Sequence, residues 1–167
     1  MRWLTVLGMR AVVPLIAAVA LICVTSPAPA RAGDCGLSFN GTYTAFSDGV
    51  WAKTHESFHD ESSVTATWTV TTECSSYLDC IGTVTSDQGW TAVAKCRSGT
   101  WTVPHDVPNW QPCPDGTFAP GRQTFNFGTS VTDPMAFDGW DKTVGPSGAC
   151  GINRWMTIVM PFTLTKL

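Results

Sequence analysis

Residues His55-Glu56-Ser57-Phe58-His59 match the H-E-x-x-H pattern of many zinc peptidases. On a helix, side chains four apart share a face, so two imidazoles can hold one zinc while the glutamate activates the bound water. On a strand the same two histidines stand about 13 Å apart, too far to share an ion bound at about 2 Å from each nitrogen. The chemistry therefore depends on local conformation. Within "THESFHDESS" only Glu56 and Glu61 are strong helix formers, and the flanking sequence is β-like. Ser57 stands where zinc peptidases usually place a bulky apolar anchor, and His105, in "VPHDVP", is the one further histidine. The segment is expected to be a polar connection without a third ligand. The metal set is accordingly none, with His55 and His59 as the zinc-hydrolase alternative.

Other catalytic patterns are thinner. The chain has no G-x-S-x-G elbow and no Gly-rich phosphate loop. Asp60 with Glu61, or Asp138 with Asp141, could form a carboxylate pair for glycoside hydrolysis, but solvated loop acids are the default expectation. No catalytic residue and no cofactor is assigned. From residue 33 onward the chain holds Trp51, Trp68, Trp90, Trp101, Trp110, Trp140 and Trp155. Trp68 alternates with Val64 and Val70 and reads as core, whereas Trp110, between Pro108 and Pro112, and Trp140, in an acidic turn, are candidates for an exposed aromatic surface.

These residues need a scaffold and a compartment. The first 32 residues carry Arg2 and Arg10, an apolar run from Ala11 to Val24, and small residues before a cleavage point after Ala32, with Ala30 as the alternative. That is the pattern of a secretory leader, and its run of about 14 residues is short of the roughly 20 needed to span a bilayer. Residues 33 to 167 then form a single domain that does not cross a membrane. The whole chain has a net charge of −3, and losing Arg2, Arg10 and Arg31 makes the remainder more acidic, which disfavours nucleic acid as a partner.

Cys23 leaves with the leader, and Cys35, Cys74, Cys80, Cys96, Cys113 and Cys150 remain. An even count in an exported chain reads as three disulfides, and the absence of any C-x-x-C argues against thiolate zinc. Fifteen pairings are open. Spacing suggests Cys74 with Cys80 across a turn, Cys96 with Cys113 around a Pro-rich excursion, and Cys35 with Cys150 joining the ends. On a loop-entropy model these would contribute about 2.4, 3.2 and 4.8 kcal/mol.

The scaffold reads as all-β. In "SSVTATWTVTT", Val64, Ala66, Trp68 and Val70 alternate with threonines; in the last run Met156, Ile158, Met160, Phe162 and Leu164 line one side, with Thr157, Thr163 and Thr165 opposite. Pro161 cannot donate to a ladder and predicts an edge or a bulge there. Further alternating runs, "FNGTYTAF", "CIGTVTS", "GWTAVAKC", "GTWTV", "QTFNFGTS" and a stretch near "MAFDGW", give seven or eight strands separated by turn residues. The expectation is an antiparallel meander, closed as a lipocalin-like barrel or folded as a sandwich.

"NGTYTAFSDGVWAKT", "TWTVTTEC", "SDQGWTA", "CPDG", "ACG" and "PFTLTKL" together resemble small exported proteins of mycobacteria and related actinobacteria, whose segments also occur in extracytoplasmic domains attached to membrane proteins. The resemblance covers nearly all of the chain after the leader. It implies a compact disulfide-bonded β domain outside the cytoplasm, secreted or associated with the cell wall, and carries over no catalytic residue. The group's pattern does not depend on histidines at positions 55 and 59. The expected function is a non-enzymatic binding or interaction module taking a lipid, an envelope polymer or a protein. A zinc hydrolase and a structural or antigen-like surface protein are the alternatives. If the meander closes, convergence of Trp68, Met156 and Phe162 in its interior would exclude a ligand carrier.

Overall fold

The structure, a computed structural model, describes Cys35 and residues 39 to 167. The expected leader, residues 1 to 32, lies outside the described residues. Ten strands follow in chain order: β1 (Gly41–Ser47), β2 (Lys53–Thr54), β3 (Ser57–Phe58), β4 (Val64–Ser76), β5 (Asp79–Ser86), β6 (Thr91–Arg97), β7 (Thr100–Pro112), β8 (Phe118–Thr129), β9 (Ala136–Val144) and β10 (Thr157–Lys166). Eight of them run antiparallel in the order β1-β4-β5-β6-β7-β8-β9-β10, and β10 pairs back onto β1, closing a barrel. The hairpin of β2 and β3 hangs from β10 outside it.

The alternation places one face of each strand inside the closed barrel. Ala66, Trp68 and Val70 on β4, Trp101 and Val103 on β7, Phe125 and Phe127 on β8, and Ile158, Phe162 and Leu164 on β10 are buried, while the intervening Thr67, Thr69, Thr102, Asn126 and Thr163 are more exposed. Val64 and the two methionines depart from the pattern: Val64 is exposed and Met156 and Met160 are half-buried. Trp68 meets Phe125 at 4.8 Å, Phe162 at 5.3 Å and Trp90 at 5.4 Å between ring centroids. Such offset and edge-on rings fill a small barrel with side chains. One end is stoppered by the segment before β1: Phe39 packs on Tyr43, Trp101, Phe127 and Phe137, and the Trp101 indole donates to the Cys35 carbonyl at 3.0 Å.

Pro161 lies within β10, not at a sheet edge. It pairs with Trp140 on β9, and on its other side the β1 ladder begins only at Phe162 while the β2 ladder ends at Val159. The proline occupies the joint between two partners, where a donor would have nothing to meet. A second proline limits closure elsewhere. β6 and β7 join through a two-residue turn at Ser98 and Gly99, both at positive φ, and pair only over Arg97↔Thr100, Cys96↔Trp101 and Lys95↔Thr102. Counting by twos from Thr100 and Thr102, the next donor toward β6 would be Pro104, which has none. Beyond it the indole of Trp90 stacks on His105 at 4.0 Å, and His105 lies nearly parallel to Phe125.

The cysteines pair as Cys35–Cys96, Cys74–Cys80 and Cys113–Cys150, with Cα separations of 5.8, 4.0 and 5.0 Å. Two expected pairings, Cys96 with Cys113 and Cys35 with Cys150, are therefore corrected. Cys96 faces the barrel interior, fully buried, where it meets the N-terminal stopper, and Cys113 leaves β7 to meet the connection between β9 and β10.

Candidate functional site

The H-E-x-x-H segment builds a hairpin. β2 and β3 pair as Lys53↔Phe58 and Thr54↔Ser57, which leaves His55 and Glu56 as the two central residues of the turn, at φ 51 and 67. Two successive positive φ values match a type I′ turn, whose twist suits a tight hairpin but which normally selects Asn-Gly. Holding two side-chain-bearing residues there costs about 1–2 kcal/mol each, and such strain persists where neighbours over-determine it. Here the His55 N–H donates to the Thr157 carbonyl at 3.1 Å, and its ring Nε2 lies 2.9 Å from the Trp155 carbonyl. His59 lies past β3 and pairs with Glu61 at 3.2 Å. The two imidazoles thus serve different neighbours, and no group of three metal-capable side chains occurs among the described residues.

The His55 bond to Trp155 forms one wall of an open cleft of about 530 Å³ between the hairpin tip and the connection from β9 to β10. Lys142 enters from the outer face of β9; Ser147, Asn153, Arg154 and Trp155 come from the connection, Thr157 from the start of β10, and Glu56 from the turn. The volume falls within the range of small-ligand sites. Trp155 is 60 % exposed, so its indole is available to a ligand. Two basic side chains, Lys142 and Arg154, line the cleft together with one carboxylate, Glu56, in a chain whose net charge is −3. The Cys113–Cys150 disulfide anchors the connection.

The candidate aromatic surface divides. Trp140 stays 53 % exposed on the outer face of β9. Trp110 is half-buried: β7 bulges between Val107 and Gln111, and the indole folds down onto Gly121 and Gly145. A Cβ at Gly121 would lie 2.7 Å from Trp110 Cδ2 and 2.8 Å from Thr143 Cγ2, so glycine is required there for close approach. Trp155, which carried no expected role, takes the exposed position beside the cleft.

The carboxylate pairs do not form acid/base sites. Asp138 points outward from β9 and Asp141 inward, so they lie on opposite faces of the strand. Asp60 is exposed, and Glu61 accepts from Thr54 at 3.2 Å while pairing with His59. Asp141 is buried, accepting from Ser47 Oγ at 2.7 Å and from Gln123 Nε2 at 2.8 and 2.7 Å. Burial raises its pKa, and the Gln123 and Ser47 bonds oppose that shift. Three strands, β1, β8 and β9, are tied inside the barrel by this network. His105 is 8 % exposed and its Nδ1 has no partner. Burial lowers its pKa, Arg122 lowers it further, and Asp106 works against both.

Fold and cleft define an eight-stranded, disulfide-bonded antiparallel barrel with a filled interior and a ligand-sized depression on its outside. The chain matches no protein-family model and no curated protein sequence. Among solved structures it is similar to "Monomer form of M.tuberculosis PknI sensor domain", at 14 % identity over 77 % of this chain and 86 % of that one, with a TM-score of 0.54. At that identity the likeness is one of fold.

Proposed function

We propose that this chain is an extracytoplasmic binding module of the sensing kind, which recognises its ligand in the cleft between the His55–Glu56 turn and the connection from β9 to β10. The observation that carries the reading is the pairing of a filled interior with an outer cleft. Trp68, Phe125, Phe127 and Phe162 occupy the space in which a lipocalin-like carrier would hold a lipid. The cleft instead gathers two cations, an exposed indole and hydrogen-bonding side chains around a strained turn. The similar solved structure is a sensor domain by its title, and the three disulfides suit an oxidising compartment. A cleaved leader over residues 1 to 32 and one domain over 33 to 167 complete the proposal, with secretion or cell-wall association as its destination. Binding is favoured over catalysis because the imidazole of the cleft, His55, is engaged with the Trp155 carbonyl, and the similar solved structure is a sensor domain by its title.

The test is an NMR screen of small anionic, neutral and cationic fragments against the oxidised protein. Hits are expected to perturb the signals of Trp155, Arg154, Lys142 and His55 together. Hits that map instead to Trp140, or to the exposed Trp51–Phe58 pair, would refute the cleft as the site.

A further inference from the structure

Resting on the cleft as the binding site, we infer that its ligand is an acidic sugar, held with a ring face against Trp155 and a carboxylate between Lys142 and Arg154. Three features of the cleft converge on that chemistry. An indole 60 % exposed beside a depression offers a flat apolar face, and the C–H face of a pyranose is flat and weakly apolar. Lys142 and Arg154 line the same cleft and bring charge-assisted donors to it, which suits an anionic group on the ligand. Ser147, Asn153 and Glu56 add both donors and acceptors, as sugar hydroxyls need, because each hydroxyl both donates and accepts.

The single carboxylate narrows the class further. Glu56 sits in the turn that forms one wall, where it would repel a polyanion but can accept from a neutral hydroxyl. A bare phosphate would leave the indole unused, and an apolar ligand would leave two cations without partners. The strained turn acquires a role as well. With its Nε2 protonated, His55 donates to the Trp155 carbonyl at 2.9 Å and fixes the backbone from which the indole projects, so His55 is a positioning residue that need not touch the sugar.

Cellobiose and cellobiuronic acid are suitable probes, since they share a ring system and differ by one C6 carboxylate. In titrations of the oxidised protein followed by ¹⁵N NMR, cellobiuronate is expected to shift the Trp155 indole and Arg154 signals and to bind about tenfold tighter than cellobiose. Trp155→Ala should lose both sugars, and the double change Lys142→Gln with Arg154→Gln should erase the preference while retaining weak cellobiose binding. His55→Ala should weaken both sugars and broaden the Trp155 indole signal. Equal affinity for the two sugars in the cleft would overturn the acidic-sugar assignment and leave the cleft as the site. Failure of both sugars to perturb the cleft would also overturn it, while the cleft itself is judged by the fragment screen.

Discussion

Replacing Trp68 by alanine tests whether the barrel is solid. The side chain is 1 % exposed and lies within 5.5 Å of the rings of Trp90, Phe125 and Phe162. A buried aromatic removes about 150–250 Å² from water, which at about 25 cal/mol per Å² is roughly 4–6 kcal/mol, an upper figure because the unfolded chain is partly compact. Large-to-small aromatic changes in cores cost about 3–5 kcal/mol, so about 4 kcal/mol is expected for Trp68→Ala. In a domain of this size that lowers Tm by roughly 12–16 °C and consumes a large part of a stability of about 5–15 kcal/mol. Urea denaturation with disulfides intact measures it, with Trp51→Ala, at a side chain 60 % exposed, as the control expected to change by under about 0.5 kcal/mol. A loss below about 1 kcal/mol for Trp68→Ala would mean that the interior yields easily, and would return the carrier reading to consideration.

Other expectations follow from the same geometry. His105 has a folded pKa below its ordinary value, so the neutral ring is favoured in the fold. Its contribution is complete above the unfolded pKa of about 6.5 and is lost as pH falls through the folded pKa. Urea midpoints should therefore decline from pH 7.5 to pH 5 more steeply in the natural protein than in His105→Gln, and parallel profiles would contradict this. Asp141 has the opposite sign: its raised pKa disfavours the folded carboxylate as pH climbs past about 3.8, so its contribution is lost with rising pH and cancels in the comparison. Gly121→Ala should cost about 1–3 kcal/mol in urea unfolding, because the new methyl would collide with Trp110 and Thr143. Non-reducing peptide mapping should recover Cys113 linked to Cys150; replacing both by serine should cost about 2–4 kcal/mol. Recovery of a Cys96–Cys113 peptide would overturn the pairing. Glu56→Gly relieves a positive φ and should raise stability by up to about 1 kcal/mol, which thermal denaturation would detect.

The period-two pattern of Trp68, Val70, Phe162 and Leu164 made the β class legible, because burial on one face is a local property of each strand; closure was not, because one-faced strands serve a sandwich equally well and only the β1–β10 pairing decides it. Disulfide partners were not, because they depend on register. Cys74 faces Cys80 and Cys80 faces Cys96 across neighbouring strands, so three cysteines occupy one row and spacing along the chain cannot choose among them. The short clip at Cys74 and Cys80 is visible as a turn, whereas Cys35 reaches Cys96 only because Phe39 and Cys35 fold into the barrel end. At the cleft the poor helix-forming character of residues 55 to 59 was readable, but a turn of His-Glu in place of Asn-Gly gives no signal of its own. Trp155 could have been noticed from its flank of Asn153 and Arg154. Trp110 misled because its prolines suggest an exposed loop, and the glycines beneath it are remote in sequence.

The pairing of β1 with β10 has a consequence in time. Tyr43 must find Lys166 and Ser47 must find Phe162, partners about 120 positions apart, so that seam pays the largest loop-closure entropy of any ladder in the barrel. Every other barrel interface joins neighbours in sequence and can zip progressively, leaving the first and last strands as unpaired edges until the end. The barrel would stay open, and the chain threadable, until β10 was available. Under the proposed export, late closure would keep the path clear while the chain crosses the membrane unfolded, and the Cys35–Cys96 bond would lock the stopper in an oxidising compartment on the far side.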